Sequence, residues 1–69
     1  MKYGARNQLK GKVVAIKKGT VMCEVTVAVG GGAVMESVMT MNSLKELGIK
    51  KGDAVKLVVK AVTVLLVKE

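Results

Sequence analysis

Histidine, phenylalanine and tryptophan are absent from this chain of 69 residues, Cys23 is its single cysteine and Tyr3 its single aromatic residue. Without a second cysteine no internal disulfide forms, and without histidine the usual zinc sets and the commonest general base are missing. The acidic residues Glu24, Glu36, Glu46, Asp53 and Glu69 form no evident catalytic pair. Gly30-Gly31-Gly32 is followed by no Gly-Lys-Ser/Thr ending, so it reads as a turn and not as a phosphate loop. These absences argue against an enzyme, and no catalytic residue is assigned. No apolar run approaches the ~18 residues of a membrane span. Polar Gln8, Lys10, Gly11 and Lys12 occupy the place of a signal peptide's apolar stretch, so a cytoplasmic protein without membrane association is expected.

What is present is aliphatic and basic. Apolar residues make up 51% of the chain, and 12 Lys and Arg against 5 Asp and Glu give a formal charge of +7. That charge implies an anionic partner or simply good solubility. A single domain over residues 1–69 has little margin over the entropy cost of folding, and with disulfides and metals excluded, oligomerisation is left to supplement its core. Cys23 lies in an alternating apolar segment and is expected to be a buried structural thiol.

The hydrophobic pattern predicts an all-β, OB-like five-stranded barrel with one short helix between strands 3 and 4. Strand 1 runs from Leu9 to Ile16, closed by a turn at Lys17-Lys18-Gly19-Thr20. Val21, Cys23, Val25, Val27 and Val29 alternate with Met22, Glu24, Thr26 and Ala28 as a half-buried strand 2. The three glycines then turn the chain into strand 3, about 33–41, as a hairpin. In strand 3, Met35, Met39 and Met41 share one face and Val34 and Val38 the other, more apolar surface than one subunit buries. Ser43 and Glu46 have capping-box spacing, Leu44 and Leu47 give the helix an apolar side, and Gly48 suits its stop. Gly52-Asp53 is a turn, Val55 to Ala61 the fourth strand and Val64 to Val67 the fifth.

Three segments together resemble the molbindin family: Ala5-Arg6-Asn7-Gln8-Leu9-Lys10-Gly11-Lys12-Val13-Val14, Met39 through Ile49, and Gly52-Asp53 with Val55, Lys60-Ala61 and Val64. The resemblance implies intracellular storage and buffering of a tetrahedral oxyanion, molybdate or tungstate, with no organic cofactor. It further implies a hexamer built as three dimers, the dimers exchanging N-terminal strand contacts and the anions lying at subunit interfaces. Carried over position by position, the oxyanion site falls on Gly4, Ala5, Arg6, Ser43, Lys60, Ala61 and Val62; the resemblance assigns no residues to a site on a threefold axis, for which Asn7, Thr20 and Lys60 are taken as candidates. Gly4 and Val62 replace hydroxyl residues that the family usually carries, with Thr63 one place beyond Val62. The residue types suit the task, because a tetrahedral dianion needs donors and no carboxylates. Arg6 offers a charged fork, Lys60 a point charge, Ser43 a hydroxyl and Gly4 and Ala5 unobstructed amides. The alternative, a nucleic-acid-binding OB module, suits the fold and charge but lacks aromatic stacking platforms, so no nucleic-acid partner is expected.

Overall fold

A computed structural model describes residues 7–68. Strand β1, Asn7–Lys18, is a 12-residue run whose Val13, Val14, Ala15 and Ile16 favour extended backbone. Its pairing slips between Val13 and Ala15, so that Val14 is an extra residue in the ladder. Such a bulge bends the strand. Strand β2, Met22–Ala28, buries Cys23, Val25 and Val27, the alternation its sequence displays. A single 3-10 turn at Gly30–Gly32 leads to β3, Val34–Thr40; Gly31 and Gly32 hold φ of 74° and 77° there, a region that side chains disfavour. Helix α1, Met41–Leu47, and β4, Ala54–Val59, follow.

The four strands form one antiparallel sheet in the order β3-β2-β1-β4, with Val13 opposite Val27, Val27 opposite Met35, and Leu9 opposite Leu57. Gly11 marks the tightest crossing. A Cβ there would lie 2.5 Å from Val27 Cγ1 and 2.8 Å from the Ala28 carbonyl oxygen, so only glycine lets β1 pass so close to β2. The sheet curls around a core of Val13, Cys23, Val25, Val27 and Leu44, with Ile16, Met39, Met41, Val55 and Leu57 packed beside it. Each such buried aliphatic side chain contributes roughly 1.5–3 kcal/mol.

The all-β sheet and the helix between strands 3 and 4 agree with expectation; several details differ. The fifth strand is absent among the described residues: Val64 to Val67 pair with no strand, and the sheet stays open along β3 and β4. Val62, Leu65, Leu66 and Val67 are 86–93% exposed. Strand β4 ends at Val59, and Ala61 belongs instead to a 3-10 turn, Ala61–Thr63. Strand β1 continues through Lys17 and Lys18, because these residues find partners in Glu24 and Cys23, and only Gly19 and Thr20 remain in the turn. Val21 falls outside β2 and is exposed. The helix starts two residues before Ser43, which turns Met41 and Leu44 inward at i and i+3 and leaves Leu47 exposed at the mouth of the concave face.

Candidate functional site

The candidate ligands fall into two groups at opposite ends of β1. At its start, Asn7 pairs with Val59, so the chain leaving β4 carries Lys60, Ala61 and Val62 past the first described residues of β1. Beside them Asn7, Gln8, Leu9, Met35, Val59 and Val64 line an open hollow of about 490 Å³. Lys60, Ala61 and Val62 are all exposed. The Lys60 carbonyl accepts from the Thr63 amide at 3.0 Å and from the Thr63 hydroxyl at 2.8 Å. Thr63 therefore spends its proton on closing the turn and does not replace the hydroxyl missing at Val62. Gly4, Ala5 and Arg6 lie outside the described residues.

The second group sits where β1 turns into β2 and β3 turns into α1. The Met41 amide donates to the Val21 carbonyl at 2.8 Å, which ties the two turns together. Thr20, Val21, Thr40, Met41 and Asn42 line a hollow of about 290 Å³ there. Ser43 is half-buried beside it, but it is not the helix cap. The cap is Thr40, whose Oγ1 accepts from the Ser43 amide at 3.1 Å and donates to Ser43 Oγ at 3.0 Å. With Thr40 donating to it, the Ser43 oxygen keeps its own proton for another acceptor. Thr40 and Asn42 thus join the candidate residues, and their signal in the sequence was Thr40 itself, a capping residue type immediately ahead of the helix.

A 12-residue strand spans roughly 36 Å at ~3.3 Å per residue. The whole chain measures 37 Å along its longest axis. Within one chain the Asn7–Lys60 group and the Thr20–Ser43 group therefore lie at opposite ends of β1 and do not meet. Neither group contains a carboxylate. Among the described residues no cluster of His, Cys, Asp and Glu is placed to hold a metal cation, and no helix is long and apolar enough to cross a membrane.

The TOBE domain model matches residues 4–66. The chain belongs to the TOBE domain family. Its molbindin-like character is equally plain in the relatives. It is 46% identical over 96% of its length to molybdenum-pterin-binding protein 2 of Clostridium pasteurianum, covering 97% of that protein. Among solved structures, MopII from Clostridium pasteurianum superimposes with a TM-score of 0.88 at 43% identity, over 97% of this chain and 100% of that one. A molybdate-binding protein from Sporomusa ovata gives 0.91 at 34% identity, over 99% of this chain and 100% of that one. For a TOBE domain of this kind, the open curled sheet with one short helix is the shared architecture.

Proposed function

We propose that this TOBE-domain protein binds molybdate or tungstate as the free tetrahedral oxyanion, at sites completed between copies of the chain, and stores the anion without acting on it chemically. The observation that carries this reading is the division of donors between two remote ends of one chain. Lys60 with the turn amides at one end, and Ser43 with Thr20 at the other, converge only if a second copy supplies the missing half. Arg6, Ala5 and Gly4 join the first group by sequence, and two cations offset the charge of a dianion. The relatives' names supply the ligand class, since they bind molybdate or a molybdenum pterin. No aromatic side chain other than Tyr3 exists to stack on a pterin ring, which favours the bare oxyanion. Neither catalysis nor nucleic-acid binding gains support from these relatives.

Assembly has independent support from area. The chain exposes 5761 Å², whereas a compact monomer of 7.2 kDa exposes roughly 4,100 Å². Among the described residues Val62 and Val64 to Val67 are exposed in the tail, and Met35, Met39, Leu47, Ile49, Val55, Leu57 and Val59 are among those lining an open cleft of about 280 Å³ on the concave face. A trimer of dimers in the cytoplasm accommodates both the area and the paired half-sites. The test is equilibrium dialysis against equimolar molybdate and tungstate followed by elemental analysis, with single-stranded DNA retention as a control. Retained molybdenum or tungsten by an oligomer supports the reading; a monomer that retains neither overturns it.

A further inference from the structure

The outward face of the sheet carries two like-charge juxtapositions of opposite sign, two members of which, Glu36 and Lys56, also border the rim of the concave cleft. On the β1–β4 side Lys10 stands directly across from Lys56, and Lys12 follows two residues along on the same face. All three are exposed, and neither strand contains an acidic residue. On the β2–β3 side Glu24 and Glu36 are diagonal neighbours, Glu24 paired with Val38 and Glu36 with Thr26. The Glu36 carboxyl is held above its ordinary range by its hydrogen bond with Glu24, then by the charge of Glu24 and by slight desolvation. Lys17 lies across from Glu24 and compensates that residue alone.

Like charges set side by side on a sheet are destabilising. In one chain Lys10 and Lys56 face each other and Glu36 faces uncharged Thr26, so neither cluster is fully compensated, and each is the counter-charge of the other. Between them the surface is shallow, with Ala15, Thr26 and Ala28 on the outward side of β1 and β2. Beside the carboxylates Val34 and Val38 are 58% and 65% exposed, and Met22 lies further along at 44%. We propose that two copies of this chain pack convex face to convex face about a two-fold axis, with Lys10, Lys12 and Lys56 of each set against Glu24 and Glu36 of the other. A two-fold contact is self-complementary, so one axis satisfies both charge clusters twice over. Small central side chains let the two curved faces approach, and the flanking valines supply apolar area. The contact uses none of the candidate oxyanion ligands and stands apart from the functional reading above.

The test exchanges the charges. Lys10→Glu with Lys56→Glu makes a face acidic throughout, and Glu24→Lys with Glu36→Lys makes one basic throughout; neither touches the core. In sedimentation at low salt, each double variant loses one association step that the wild-type chain shows, with at least a tenfold rise in its dissociation constant. An equimolar mixture of the two regains it as a heterodimeric contact. Wild-type assembly retained by either double variant, a mixture that stays dissociated, or a wild-type chain lacking the step overturns the proposal. Molybdate dialysis on the same variants separates this contact from the oxyanion site, since either result stands without the other.

Discussion

Thr40 Oγ1 donates to Ser43 Oγ at 3.0 Å while accepting from the Ser43 amide at 3.1 Å, so one hydroxyl caps the helix and the next is left to donate elsewhere. The two residues therefore separate stability from binding. Thr40→Val removes the cap and is expected to cost about 1 kcal/mol, read by chemical denaturation. Ser43→Ala leaves the cap in place and is expected to weaken molybdate binding by roughly ten- to a hundredfold, the worth of a hydrogen bond to a charged group. Calorimetric titration checks the second effect. Equal loss of stability in both variants would show that Ser43 serves the helix only.

Gly11 offers a sharper structural test. An added methyl must displace the Val27 side chain and the Ala28 carbonyl, and the latter is backbone held in the β1–β2 ladder. Gly11→Ala is expected to destabilise by about 1–3 kcal/mol, the usual cost of overpacking a tight site. Alanine otherwise stabilises an extended segment relative to glycine, so a melting temperature equal to or above wild type would contradict the close crossing.

The pH dependence of Glu36 has a definite sign. Its carboxyl is raised by the hydrogen bond with Glu24, by that residue's charge and by desolvation, so the folded chain holds the proton more tightly than the unfolded chain. The stabilisation is fully present below the ordinary glutamate value of about 4.3 and is lost as pH rises through the raised folded value. Glu36→Gln should therefore melt higher than wild type at pH 7, with the gap closing as pH falls toward 4, in dilute protein where copies are apart. A variant less stable than wild type at pH 7 would contradict the carboxylate repulsion.

Much of this architecture is legible in the residues, and the exceptions have physical causes. The alternation of Cys23, Val25 and Val27 reads directly as a buried strand face because one side of β2 meets the core throughout its length. Gly48 reads as a helix stop and adopts φ of 66°. Thr40 and Ser43 are both capping types three residues apart, and in the fold Thr40 is the cap while the Met41 amide after it is tied to the Val21 carbonyl. The meeting of Asn7 with the Lys60 turn depends on β1–β4 register, a long-range pairing that local pattern does not encode. Val64 to Val67 have strand composition but no strand to join in one chain, so composition alone predicts an element that a single copy does not form.

That tail gives the most direct test of assembly. Leu65 and Leu66 are 87% and 93% exposed, so in an isolated chain their replacement removes almost no packing. Exposed substitutions of that kind ordinarily change stability by no more than about 0.5 kcal/mol. If the tail instead covers apolar surface of another copy, Leu65→Asp with Leu66→Asp places two charges in a buried contact, and the loss appears as a lower assembled mass and a melting temperature that no longer rises with protein concentration. Oxyanion binding should fall with it, because half-sites that never meet present too few donors to hold a dianion. A double variant that keeps the wild-type mass and its concentration-dependent melting would mean that the tail lies in water in the assembled protein as it does here.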